Sequence, residues 1–380
     1  GFLDKIFSRF SCAYNTSAKF KCKQQNALST RRRLFSSVQR KPVPVIDVSR
    51  LFSGEDDRLV IDQIADACKE WGFFQIVGHG VPQKKLTDFV DVSNKFFEQP
   101  REDKLSVRRN QTNSRGYYDD ELTKQKKDWK EGFDFGAQDG SLDATGLDGF
   151  NQWPSFSCCP PEYKSPEEFS RTFKHTCYDW FNTCETVSTR LLEAIALSLG
   201  VQKHFFMTHF DRAHTSFLRL NYYPTCPNPE SNLAVNHHTD AGALTLLVQE
   251  EGKTALQVWH EGGWHSCEPV PGSFTVNIGD QMQVWSNDRY QAPVHRVLSS
   301  ASDSRLSFPF FYNPSYATEV RPVPELLRLT GEEPRYHPIN WGKFRAARFA
   351  GDYADVGEET QISHFSTNPA GRTSPLHFKR

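Results

Sequence analysis

Two histidines and an aspartate stand at the edge of a run of strand formers in VNHHTDAGALTLL, residues 235–247. Polar side chains set against an apolar core lose hydration, and hydrogen bonds or a metal ion must replace it. His238 and Asp240 are spaced i, i+2, which in a strand turns both to one face and His237 to the other. A third donor, His295, opens the apolar segment HRVLS 55 residues further on. Two imidazoles and one carboxylate on one face of an octahedral ion leave three positions open, as non-haem Fe(II) oxygenation requires. The same three donors could hold a hydrolytic zinc.

The H-x-D spacing carries little weight alone. With 13 His and 24 Asp in the chain, about one such pair arises by chance, and His209-Phe210-Asp211 is a second. Arg305 and Ser307 add weight, because they form another i, i+2 pair on a later strand. A guanidinium inside a barrel needs an anion, and its planar fork suits a carboxylate. An Asp or Glu of the fold is one source of that anion. The distal carboxylate of a dicarboxylic co-substrate, whose 2-oxo acid end chelates the metal, is the other.

The elements that must position these groups are legible in outline. Short apolar segments punctuated by Pro, Asn, Gly and Asp run from Thr215 to Tyr312: FLRLNYY, LTLLV, LQVWH, GWHSCEPV, SFTVNI, MQVWS, HRVLS and LSFPFFY. Such spacing predicts an antiparallel barrel or sandwich of jelly-roll type. Upstream, apolar residues at helical spacing predict helices over 56–71 and 83–97, with the strand GFFQIVGHGV between them, and one long or broken helix over 164–199. Residues 98–161 read as a charged, loop-rich region, and a short helix is expected around Trp341–Phe349.

The chain has 380 residues, enough for one large domain or two ordinary ones. Residues 1–44 hold ten Lys and Arg against the single acid Asp4, so the remainder is acidic within a formal net charge of −1. An acidic body argues against nucleic-acid binding, and no apolar run reaches the length of a membrane span. The basic, Ser-rich head over 1–42 is expected to be a disordered leader resembling a transit peptide. Localisation is therefore expected to be intracellular, either cytoplasmic or in a mitochondrion or plastid. Nine cysteines without a CxxC pair predict reduced, mostly buried thiols. No protein partner is evident.

The chain resembles the Fe(II)/2-oxoglutarate-dependent dioxygenases of the isopenicillin N synthase-like, plant-type family. The resemblance rests on PVIDVS, EWGFFQIVGHGV, RGYY, DWKEGFDFG, RLNYYPTCP, HTDAGALTLL, VNIGDQMQVWSN, HRV and RLSFPFF, in family order between residues 43 and about 350. It implies a mainly β fold, a double-stranded β-helix core over 212–320, with an N-terminal helical domain over 43–211 and a C-terminal helix and tail over 321–380. It implies iron ligation by His238, Asp240 and His295, and a clamp of Arg305 and Ser307 for 2-oxoglutarate. By the same resemblance Asn221 and Tyr223 lie near that co-substrate, and Phe311, Tyr117 and Tyr118 line the substrate pocket. Alternation turns Phe311 to the clamp face and Phe308 and Phe310 away from it. The implied reaction uses Fe(II), 2-oxoglutarate and O2, with ascorbate as reductant, to hydroxylate, desaturate or cyclise a small metabolite. Two alternatives stand: an oxidase of the same fold that consumes no 2-oxoglutarate, of isopenicillin N synthase or aminocyclopropane carboxylate oxidase type, and an inactive binding protein.

Overall fold

Fourteen strands build the part of the chain that carries the site. They are β1 (Val45–Asp47), β2 (Phe73–Val77), β3 (Gly116–Tyr118), β4 (Leu122–Thr123), β5 (Lys126–Lys127), β6 (Glu131–Gly136), β7 (Phe217–Tyr223), β8 (Val235–His238), β9 (Leu244–Gln249), β10 (Leu256–His260), β11 (Gly263–Ser266), β12 (Phe274–Ile278), β13 (His295–Val297) and β14 (Arg305–Tyr312). Five helices frame them: α1 (Arg58–Glu70), α2 (Gln83–Phe97), α3 (Pro166–Ser198), α4 (Asp280–Trp285) and α5 (Trp341–Tyr353). The computed structural model describes residues 41–54, 57–123, 126–137, 148–210, 213–353 and 360–368, so the expected leader up to residue 40 lies outside the described residues.

Local chemistry explains where the long helices start. The Asp57 carboxylate accepts the amides of Leu59 and Val60 and caps α1. Ser165 accepts the Glu168 amide, Pro166 occupies the first turn, and Glu167 and Glu168 face the positive end of the helix dipole. With that start α3 runs 33 residues without interruption, the unbroken form of the expected helix. Its stripe of Phe169, Phe173, Cys177, Trp180, Phe181 and Cys184 is buried.

Antiparallel pairing joins an eight-stranded sheet in the order β1-β2-β12-β9-β14-β7-β6-β3, with β1–β2 as its parallel pair, and a four-stranded sheet in the order β11-β10-β13-β8. Alternation sorts the large sheet into two unlike faces. Leu218, Leu220, Leu244, Leu246, Val276, Phe308 and Phe310 point outward into one hydrophobic cluster with the helices. Phe308 meets Phe89 of α2 at 4.9 Å and Phe310 meets Phe181 of α3 at 5.0 Å. Thr245, Gln249, Thr275, Asn277, Arg305, Ser307 and Asn221 occupy the other face, all buried. That face looks toward the small sheet, since Tyr223 of β7 packs in one cluster with Val235, Leu256, Val258 and Val297. The inner face of the large sheet is therefore rich in buried polar groups where its helix side is apolar, and a smaller apolar cluster around Val235, Leu256, Val258 and Val297 fills the rest of the space between the sheets.

Three expectations are corrected. MQVWS is not a strand: Asp280–Trp285 form α4, because a helical turn starting at Gly279 aims the amides of Asp280 and Gln281 at the carbonyls of Asp240 and Gly242. Residues 98–161 are more than loop, since β6 pairs with β7 over six residues and β3 pairs with β6. The partner strand β7 lies about 80 residues away in sequence, so no local pattern announces the pairing. The large sheet consequently draws strands from both 43–211 and 212–320. The third concerns Asp240, which lies beyond the end of β8 in a turn rather than in a strand.

The seven described cysteines are free, with Cys68, Cys177, Cys184, Cys226 and Cys267 buried. No described helix is long and apolar enough to cross a membrane. Trp180 is fully buried between Phe89 at 5.1 Å and Phe274 at 5.8 Å, and so joins both helices to the sheet. Trp180→Ala is expected to cost about 3–5 kcal/mol, read as a lowered urea midpoint at unchanged slope.

Candidate metal centre

His238 ends β8 and His295 opens β13, and the two residues are register partners with ring centroids 4.3 Å apart. Asp240 reaches them from the turn that follows. Its Oδ1 lies 3.5 Å from His238 Nε2 and 3.6 Å from His295 Nε2. One ligand atom from each residue lies within 4.8 Å of the others, and among the described residues this is the one group of three or more metal-ligating side chains so arranged.

Each donor is held by its far side. His238 Nδ1 donates to the Asn236 carbonyl at 2.7 Å and His295 Nδ1 to the Pro293 carbonyl at 3.0 Å, which turns both Nε2 atoms toward Asp240. Asp240 Oδ2 accepts the Thr245 hydroxyl at 2.5 Å and the Asn277 amide at 2.8 Å, so Oδ1 is the oxygen turned to the imidazoles. Thr245 and Asn277 come from the polar face of the large sheet, and the histidines from the small one. The centre thus forms where the two sheets face each other. The turn also requires close backbone approach: a Cβ on Gly279 would meet the Gly242 oxygen at 2.2 Å, and one on Gly242 would meet Asn313 Oδ1 at 1.9 Å.

Electrostatics suit a cation. Burial, aided by the neighbouring His238, pushes the His295 imidazole down to about 4, so it is neutral near pH 7. Burial opposes the Asp240 anion as well, but the two imidazoles and the Asn277 hydrogen bond outweigh it and hold the carboxyl well below the usual range. Burial would lower His238 too, yet its contact with Asp240 leaves it above its ordinary value. A buried carboxylate with two imidazoles turned to one point is a ligand set for a divalent metal.

Further along the same polar face lies a second uncompensated charge. The Arg305 guanidinium is buried, with 6% of the residue exposed. Its Nη2 donates to Gln249 Oε1 at 3.3 Å, while Nε and Nη1 have no hydrogen-bond partner among the described residues. The Tyr223 ring lies beneath it at 5.2 Å. Ser307 Oγ pairs with the Tyr223 hydroxyl at 3.1 Å and accepts the Asn221 amide at 3.4 Å. Register explains the cluster, because Arg305 sits opposite Tyr223 and Ser307 opposite Asn221. Burial lowers the guanidinium's basicity, with Tyr223 and Glu250 working against it.

The residues expected to line a substrate pocket divide. Phe311 is the half-buried member of an otherwise buried β14, stacks on Phe217 at 4.6 Å, and is the register partner of Thr245. It therefore borders the centre, whereas Phe308 and Phe310 face the helices as alternation requires. Tyr117 and Tyr118 are nearly fully buried. Tyr117 belongs to the helix-side cluster and donates to Glu131 Oε2 at 2.7 Å. Tyr118 donates to Asp134 at 3.2 Å beneath the Arg109 guanidinium. Both phenols are occupied with fold partners. His209 of the other H-x-D stacks on Trp285 at 5.6 Å, and Asp211 lies outside the described residues.

Sequence reasoning did not single out Thr245 or Asn277, although both stand inside the quoted motifs. It also missed a buried ion network beside the centre. Glu121 meets Lys130 at 2.5 Å, Arg219 at 3.0 Å and Arg109 at 3.1 Å, while Arg219 forks Asp134 with two 2.8 Å bonds. Lys130 continues to Asp128 at 3.1 Å, and Asp128 accepts the Asn236 amides at 3.4 Å. Asn236 is the residue whose carbonyl orients His238, so the network terminates on a ligand's support.

Comparison with known proteins agrees with this geometry. Residues 43–156 match the family model described as non-haem dioxygenase in morphine synthesis N-terminal, and residues 214–314 match that of the 2OG-Fe(II) oxygenase superfamily. Jasmonate-induced oxygenase 2 of Arabidopsis thaliana is 32% identical over 330 residues, 85% of this chain and 83% of that one. The 1-aminocyclopropane-1-carboxylate oxidase 5 of the same plant is 30% identical over 321 residues, 83% and 93% of the two chains. The crystal structure of JOX2 in complex with 2OG, Fe and JA superposes with a TM-score of 0.71 at 29% identity, covering 88% of this chain and 90% of that one.

Burial favours the protonated form of Glu121, but Arg219, Lys130 and Arg109 outweigh it and hold the carboxyl well below its ordinary value of 4.5. A depressed folded-state value contributes stability that is complete above the unfolded value and is lost as pH falls below it toward the folded one. Glu121→Gln is accordingly expected to destabilise the protein by about 3–5 kcal/mol at pH 7, because three cations lose a shared anion. Its urea midpoint should also fall less than the wild type's between pH 5 and more acidic solution.

Proposed function

We infer the function from the premise that this chain belongs to the 2OG-Fe(II) oxygenase superfamily. It is an oxidoreductase that uses Fe(II), O2 and 2-oxoglutarate to oxidise a small molecule. One observation carries the residue-level reading: the fold buries the Arg305 guanidinium and supplies no partner to its Nε or Nη1 among the described residues. An unpaired buried charge is costly, and an incoming carboxylate is the group that matches its fork.

Fe(II) fits His238 Nε2, His295 Nε2 and Asp240 Oδ1, since these atoms converge and every far-side atom of the set is already engaged. These three residues would hold the iron, which would supply the redox chemistry when bound. The protein's own part is placement. Arg305 receives the distal carboxylate of 2-oxoglutarate bidentately, the Ser307 and Tyr223 hydroxyls add donors to it, and Asn221 holds Ser307 in place. Phe311 and Phe217 form the apolar wall against which a substrate lies. The buried polar face keeps bulk water from the reacting groups.

The helices packed on the outer face of the large sheet act as the N-terminal covering layer, with residues 212–320 as the oxidising core. Ascorbate serves as the reductant that keeps the iron ferrous. The substrate is a small metabolite with an apolar face, and its oxidation is a hydroxylation, desaturation or ring closure. The same-fold oxidase remains the second reading, favoured by the likeness to 1-aminocyclopropane-1-carboxylate oxidase 5. There Arg305 would hold a substrate carboxylate instead.

Succinate release from labelled 2-oxoglutarate with Fe(II) separates the two readings, and substrate oxidation without succinate establishes the oxidase. Arg305→Lys is expected to raise the KM for 2-oxoglutarate by about tenfold or more, since a point charge replaces a charged two-bond fork. An unchanged KM would place the co-substrate elsewhere. His238→Ala should abolish Fe(II) binding in a metal titration, whereas His209→Ala should retain it.

A further inference from the structure

The turn between β8 and β9 carries Asp240, and its carbonyls are claimed in an uneven way. Asp240 O accepts the Asp280 amide at 2.8 Å, Gly242 O the Gln281 amide at 3.0 Å and Ala243 O the Gly279 amide at 3.0 Å. Ala241 O accepts the Gln281 side chain at 3.0 Å. Four successive carbonyls are thus held by the tripeptide Gly279–Gln281 at the start of α4. The preceding carbonyl, that of Thr239, lies between the two chelating residues and is held from elsewhere. Arg348 Nη2, on α5 and 109 residues away in sequence, donates to it at 3.0 Å.

We propose that Arg348 is a positioning residue for the iron centre, acting through the Thr239 carbonyl. The proposal rests on His238, Asp240 and His295 being the metal ligands. The peptide joining Thr239 to Asp240 sets the direction in which the Asp240 side chain leaves the backbone. Rotation of that peptide moves Oδ1 relative to His238 Nε2, the separation now standing at 3.5 Å. Metal–ligand distances tolerate only a few tenths of an ångström, so a fixed peptide is worth affinity.

The second arm of the guanidinium explains the choice of arginine. Nη1 donates to Gln361 Oε1 at 3.1 Å and to the Thr360 carbonyl at 3.4 Å, and lies 3.7 Å from Asp280 Oδ2. One planar fork therefore ties the ligand turn to the start of α4 and to the chain beyond α5. With 11% of its side chain exposed, Arg348 makes these contacts largely out of water. Three residues earlier on the same helix, Arg345 grips Asp148 with bonds of 2.7 and 3.0 Å, so α5 is also anchored one turn before the tie.

The test titrates the full-length apoprotein with Co(II), whose visible ligand-field bands report coordination geometry independently of turnover. Arg348→Met keeps the apolar stem and removes the donors. It is expected to raise the Co(II) dissociation constant by about ten to one hundredfold, the range for lost support of a metal ligand, and to change the band positions. Arg348→Lys restores one donor and should fall between Met and the wild type. A folded Arg348→Met protein with wild-type affinity and spectrum overturns the proposal, as does a Lys variant no better than Met. If the Met variant does not fold, a Lys variant identical to the wild type overturns it. Co(II) binding left unchanged by His238→Ala would defeat the iron assignment itself. A normal His238 dependence with an indifferent Arg348 defeats only the present proposal.

Discussion

Two buried charged groups are left open to a partner from outside the fold: the Asp240 carboxylate, whose Oδ1 is turned to a pair of imidazoles, and the Arg305 guanidinium, with two of its nitrogens unmatched among the described residues. A folded chain tolerates such an arrangement only where something from outside completes it, since desolvation of an unpaired charge costs several kcal/mol. A metal cation answers the first and a carboxylate the second. The rest of the structure follows from keeping these two sites on one polar wall.

That wall inverts the usual division of a sandwich. The large sheet turns its aliphatic stripe outward, where α1, α2 and α3 cover it, and most of its buried polar residues inward toward the small sheet. The helices supply most of the hydrophobic burial, and the smaller cluster between the sheets adds to it. Thr245 and Asn277 show the gain, because two neighbouring strands of the large sheet orient a carboxylate that belongs to neither. The ion network around Glu121 adds a rigid flank whose end, Asn236, orients His238.

Much of the site was legible from types and spacing. The histidines, Arg305 and Ser307 lie on strands as expected, and alternation along β14 turned Phe311 inward and Phe308 and Phe310 outward. The convergence of His238 and Asp240 was right for a reason that does not apply, because a turn performs what a strand face was expected to do. Tyr117 and Tyr118 were attractive by position, yet their hydroxyls are committed to Glu131 and Asp134. MQVWS has strand formers in a strand-like place, and its helix appears only because Gly279–Gln281 must serve the carbonyls of the ligand turn.

The sequence by itself determined the donor types, the strand alternation that faces Arg305 and Ser307 inward, and the helix starts at Asp57 and Ser165, since each depends on neighbours within a few positions. Tertiary structure decided which distant residues meet: β6 beside β7, Asn277 on Asp240, Arg348 on Thr239. Hydrogen bonds between segments tens to a hundred residues apart leave no periodic trace in the chain. Their partners are chosen by sheet register and by the requirement that buried polar groups find one another.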